Sequence, residues 1–167
     1  MFHPHSLLLL LVLVLSAVTV VHSSLDPTTG LAANCSDPAY QSCAFYLQCA
    51  EARYQCGPNG YPVSYGNRYC TKFEMDQGEL SEAGKKWMWN VMKCLEDTLV
   101  PTVTAEKQVS CNQLSRRAFD SHPYCYVRSG LCALPLSDLV AILNIIGLSA
   151  LIHIEMFKVA GSAQPIN

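Results

Sequence analysis

Ser81-Glu82-Ala83-Gly84-Lys85-Lys86-Trp87-Met88-Trp89-Asn90-Val91-Met92-Lys93-Cys94-Leu95-Glu96-Asp97-Thr98-Leu99-Val100-Pro101 is the stretch on which the fold turns. Large apolar side chains recur at Trp87, Val91, Leu95 and Leu99, four residues apart, and mark one face of a helix. Ser81 stands where a hydroxyl can accept from the first free amides of that helix. Pro101 has no amide hydrogen and is expected to end it at Val100. Cys94 lies beside the apolar stripe, so the helix is also a point of covalent attachment. Trp87 and Trp89 read as core or helix-contact residues rather than as a ligand cage. Amphipathic helices tied by cysteines set the expected class: all-α, a small disulfide-rich helical domain of about four to five helices.

Upstream, Asp37-Pro38 predicts the start of a helix running to about Tyr54, with Asp37 as cap and Pro38 at the first helical position. Cys43, Leu47, Ala50 and Tyr54 recur three or four apart along it. Cys43 and Cys49 fall on different sides of such a helix and are expected to tie it to two neighbours. From Cys56 to Gly66 three glycines and two prolines predict a loop, with Pro58-Asn59-Gly60 as a tight turn. Tyr61, Tyr65 and Tyr69 then recur every four residues. They form either an exposed aromatic recognition patch or a cover folded back over a thin core, and the second reading is preferred.

Downstream, a helix is expected over about Ala105 to Ala118, broken at Ser121-His122-Pro123, which makes His122 a turn residue. A short helical piece from Tyr124 to Ser129 stops at Gly130. The last helix is expected to begin with Ser137-Asp138 as cap and to reach about Phe157. It is apolar nearly all round until His153, Glu155 and Lys158, so its surface must be buried somewhere. Three fates are open: the core of this domain, a dimer interface, or a tail removed for a lipid anchor. The charges and the polar residues 161–167 make the last the weakest.

The chain of 167 residues begins with the features of a secretory signal peptide. A polar start, the apolar run Leu7 to Val21 and the small residues Ser23-Ser24 fit that pattern, although the start carries only His3 and His5 and no Lys or Arg. The run is shorter than the roughly 20 residues a bilayer core requires, which favours cleavage near Ser23 over anchoring and argues against stable membrane insertion. The expected organisation is a signal peptide at 1–23, a flexible lead at 24–34, a disulfide-rich helical domain at 35–160 and a polar tail at 161–167. Net charge is −2, with no basic stripe for nucleic acid.

Nine cysteines, at positions 35, 43, 49, 56, 70, 94, 111, 125 and 132, all follow the signal segment. A secreted chain meets an oxidising lumen, so they read as a disulfide framework. A zinc site would want Cys or His ligands at tight spacing; there is no CxxC pair, and no metal or cofactor is expected. The odd count leaves at least one cysteine over, and counting alone allows 945 arrangements. Asn34-Cys35-Ser36 is the one glycosylation sequon, and a bridge at its centre would hinder modification of Asn34.

Catalytic signatures do not emerge. There is no Gly-x-Ser-x-Gly elbow, phosphate loop or HExxH, and Asp76-Gln77-Gly78-Glu79 lacks the ligand pattern of a calcium loop. A small secreted phospholipase would carry a CCxxHD helix, whereas no two cysteines here are adjacent and His122 is flanked by Ser121 and Pro123. The expectation is a non-enzyme.

Several spacings together resemble the stanniocalcins, secreted helical disulfide-rich glycoprotein hormones. They are Tyr69-Cys70-x-x-Phe73, Gly84-Lys85 leading to Lys93-Cys94, then Cys111, Cys125-Tyr126 and Cys132, and Asp138 with its apolar helix. The likeness covers about Cys35 to Ile146 and is looser in the first half, where a longer Gly-Pro-Asn-Gly loop precedes Cys70. The resemblance implies the pairs Cys35–Cys49, Cys43–Cys70, Cys56–Cys111 and Cys94–Cys125. It leaves Cys132 unpaired, because the family's later partner for it is missing, so Cys132 is either free or an intermolecular link. It also implies a hormone or paracrine factor of calcium and phosphate balance, binding an extracellular receptor or protein target and able to form a homodimer. The alternative is a secreted toxin-like or defence polypeptide acting on a receptor or ion channel. The basic pairs Lys85-Lys86 and Arg116-Arg117 fall inside expected helices rather than at maturation sites, which favours the hormone-like reading.

Overall fold

The computed structural model describes residues 33–147. The signal segment, most of the lead, the expected continuation of the last helix beyond Gly147 and the polar tail lie outside the described residues. Within them the fold is all-α, with five helices, no strand and four disulfides. Helix α1 comprises Tyr46–Glu51, wound with the wide spacing of a π-helix, and its continuation Ala52–Tyr54. Helix α2 is built the same way, Pro62–Asn67 with π spacing followed by Arg68–Asp76. Helices α3 (Glu82–Val103), α4 (Cys111–Arg128) and α5 (Leu136–Ile146) complete the set.

Helix α3 is the axis of the domain. Ser81 caps it as its position predicts, accepting from the Gly84 amide at 3.2 Å. Trp87, Val91, Leu95 and Leu99 are all buried, with Met88 and Met92 beside them. Pro101 does not end the helix, which continues to Val103. The lost amide bond falls in the last turn, where other groups hold the chain: the Tyr54 hydroxyl donates to the Thr102 carbonyl at 2.9 Å, and Arg117 donates to the Thr102 hydroxyl at 2.9 Å. Outside packing therefore overrides the proline signal.

Helix α4 departs further from expectation. Residues 105–110 are not helical; Ser110 starts the helix through a reciprocal capping box with Gln113. The helix then passes straight through Pro123 to Arg128. Proline there removes the amide that would reach the Phe119 carbonyl. Side chains of the preceding turn take up neighbouring carbonyls instead: Ser121 Oγ donates to Ala118 O at 2.7 Å, and His122 Nδ1 sits 2.7 Å from the same oxygen. Two residues later the Cys94–Cys125 bridge fastens α4 to α3. His122 is thus a buried helical residue and not a turn residue.

The first helix starts later than Asp37-Pro38 suggests. Gln41 takes a left-handed φ of 60°, and Ser42 Oγ accepts from the Ala44 amide at 3.2 Å, so winding begins near Ala44. The π spacing also rotates the buried face. Tyr46, Cys49, Ala50 and Tyr54 turn inward, while Leu47, expected inside, is exposed.

The predicted loop ends at the Gly57 to Gly60 turn; from Pro62 onward the chain is helical, with Pro62 at its first position. Gly66 is there for contact rather than for a bend. A Cβ on it would lie 2.3 Å from Cδ1 of Tyr46, a ring locked in the core at 1% exposure. We expect Gly66→Ala to cost about 3 kcal/mol through overpacking, read as a lower midpoint in urea denaturation.

The start of α5 also differs. Pro135 holds the cap position, and neither Ser137 nor Asp138 caps this helix. Asp138 serves the other end of the domain: its carboxylate accepts from the Ser81 amide at 2.8 Å and the Ser81 hydroxyl at 2.6 Å. The hydroxyl that caps α3 is therefore itself held by α5, and Gly84 leaves the space, since a Cβ there would lie 2.7 Å from the Asp138 carboxyl carbon. Asp138→Ala removes two hydrogen bonds to a buried carboxylate and is expected to cost about 2–3 kcal/mol in the same assay.

Candidate functional site

The structure sorts the cysteines into four bridges, Cys35–Cys49, Cys43–Cys70, Cys56–Cys111 and Cys94–Cys125. This is the set the stanniocalcin resemblance implies. Cys132 carries no bridge and is exposed, in the short turn Leu131–Ala133 between α4 and α5. Asn34 is also exposed, but the next residue, Cys35, is buried and bridged to Cys49. Four disulfides suit an oxidising, extracellular environment. No helix among the described residues is long and apolar enough to cross a membrane, and no group of three His, Cys, Asp or Glu side chains among them is placed to hold a metal ion.

One surface feature stands out beside Cys132. Leu136, Val140 and Leu143 follow each other at helical spacing along α5 and remain exposed at 74%, 49% and 44%, while Ile142, Ile145 and Ile146 face inward. The helix therefore serves the core with one face and leaves the other apolar and uncovered within the described chain. Of the fates open to it from sequence, the core takes one side only.

Inside the domain the three tyrosines fold back over the core and do not form an outward patch. Tyr65 stacks on Tyr61 and packs against Tyr69 and, edge-on, Phe119, with ring centroids 4.6 to 5.7 Å apart. His122 and Tyr126 extend the cluster, and Trp87 joins it, donating to the Tyr126 carbonyl at 3.2 Å. Burial keeps the His122 ring from protonating, lowering its pKa. Because a carbonyl only accepts, the Nδ1 facing Ala118 carries the proton, which leaves Nε2 as an acceptor. Burial also pushes the phenols of Tyr61, Tyr65 and Tyr126 up, so all stay neutral donors.

Between this cluster and the aliphatic faces of α3 and α5 lies a cavity of about 240 Å³. Every one of the five helices contributes to its wall, including Tyr46 from α1, Tyr69 from α2, Val91 from α3, Tyr126 from α4 and Ile142 from α5. Sequence reasoning missed it. The four-residue spacing of His122 and Tyr126, both in its wall, was the available signal, hidden by the expected break at Pro123.

A second polar residue is buried without an evident service. Glu96 on α3 is 1% exposed, and its Oε1 finds no hydrogen-bond partner among the described residues. Desolvation, then the neighbouring Asp97 charge, push its carboxyl pKa up to about 8. No protein-family model, curated protein or solved structure matches this chain.

Proposed function

We propose that this chain is a secreted, stanniocalcin-like hormone or paracrine factor that acts by binding an extracellular protein, with calcium or phosphate transport as the process it regulates. The observation that carries the reading is the bridge set, which coincides pair for pair with the one the resemblance implies and leaves the same cysteine over. The contact surface is the exposed apolar stripe Leu136, Val140 and Leu143 of α5, beside the exposed polar Ser137 and Asn144. On this reading two copies pair across that stripe, with Cys132 four residues from Leu136 and near the seam.

The test is saturable binding of the purified, secreted protein to ion-transporting epithelial cells, followed by calcium and phosphate flux. The expected result is binding and a flux change, both lost in a Leu136→Ser/Val140→Ser/Leu143→Ser variant that keeps its four bridges. Sedimentation should show a dimer for the parent chain and a monomer for that variant. Absence of saturable binding contradicts the proposal, and block of a channel current without any flux change favours the toxin-like alternative.

A further inference from the structure

We infer that the interhelical cavity is a binding site for a neutral, mainly apolar small molecule bearing a hydroxyl group. Three observations carry this. The space of about 240 Å³ exceeds the ~150 Å³ apolar cavities that take up benzene, and in proportion accommodates about ten carbon atoms. Its wall combines the rings of Tyr65, Trp87 and Tyr126 with the aliphatic Val91, Ile142 and Ile146, which suits a flat or short-chain hydrocarbon. No Asp, Glu, Lys or Arg lines it. A carboxylate or ammonium ligand would be stripped of water there with no counter-charge, whereas a hydroxyl finds the phenols and His122.

The chain's own continuation is a poorer occupant. Beyond Leu148 to Ile152 it carries His153, Glu155 and Lys158, and more than one turn could not enter without burying a charge. A second copy does not compete either, because the wall is made by the five helices of one chain, and of the exposed α5 stripe only Leu143 also touches it. The site is independent of the partner-binding reading, and its failure would leave that reading untouched.

The experiment is calorimetric titration of the full secreted protein with 2-naphthol and, separately, with 2-naphthoate, which differ in headgroup but share a ten-carbon ring system. The expected result is 2-naphthol binding with one site per chain and at least tenfold tighter than 2-naphthoate. Ile142→Phe and Val91→Phe, which fill the space from two different helices, should each weaken it tenfold or more. A Trp89→Phe variant, in which Trp87 is the remaining indole, places the ligand independently: its fluorescence should be quenched as the site fills. No binding of 2-naphthol, equal binding of the carboxylate, or binding that leaves Trp87 unquenched and survives both folded filling variants overturns the inference. So does binding seen only in a Leu148→Asp/Leu151→Asp variant, which would assign the cavity to the chain itself.

Discussion

Replacing Cys56 and Cys111 together by serine is expected to lower the free energy of unfolding by about 4 kcal/mol. Of the four bridges this one spans the longest stretch, with a sequence separation of 55 against 14 for Cys35–Cys49. A crosslink acts largely by restricting the unfolded chain, and on that account the shorter bridge contributes about 3 kcal/mol. Cys56–Cys111 also joins the exit of α1 to the first residue of α4, across a connection held otherwise by a few polar contacts. Arg53 donates to the carbonyls of Ala105 and Glu106 at 2.8 and 3.1 Å, and Gln108 donates back to the Arg53 carbonyl at 3.1 Å. Against a typical total of 5–15 kcal/mol, the loss leaves a domain near its threshold. Urea denaturation of the two paired-serine variants measures both values, and a larger loss for Cys35–Cys49 than for Cys56–Cys111 would contradict the entropic account.

Glu96→Gln should stabilise the protein at alkaline pH and change it little in acid. The folded state holds the Glu96 proton up to about pH 8, whereas the unfolded chain releases it near its ordinary value of 4.5. Between those values the folded state binds more protons, so stability falls as pH rises and levels off above the folded pKa. At ~1.4 kcal/mol per unit the window amounts to close to 5 kcal/mol, and water entering around the ionised carboxylate reduces it to about 4. The groups that bear on it are Asp97, which raises the value, Lys93, which lowers it, and the neutral phenols of Tyr46 and Tyr61. His122 acts in the opposite sense: its lowered pKa means that stability is lost as pH falls below about 6.5. That loss is common to both proteins, so the difference between their urea midpoints from pH 4.5 to 8.5 isolates Glu96. A difference that stays flat over this range would show that Glu96 is ionised in the fold.

What the sequence made legible was local or countable. The Ser81 cap, the stripe on α3, the Gly130 stop and the cysteine count each depend on a few neighbouring residues. The errors came where distant contacts overrule a local rule. Pro101 and Pro123 sit inside helices because Tyr54, Arg117 and a disulfide hold those turns from outside. Asp138 has the right type and position to cap its own helix, yet its carboxylate reaches Ser81, 57 residues away. Leu47 falls inward on a 3.6-residue period, but the π spacing of Tyr46–Glu51 does not keep that period and leaves it exposed. The cavity was the least legible of all, since five separate segments build it and none carries a motif.

The pairing of the cysteines underlies both the fold and the proposed function, and non-reducing peptide mass mapping of the secreted protein tests it directly. The expected pairs are Cys35–Cys49, Cys43–Cys70, Cys56–Cys111 and Cys94–Cys125, with Cys132 free or joined to Cys132 of a second copy. Cys132 bridged within the chain to Cys35, Cys43, Cys49 or Cys56 would contradict it.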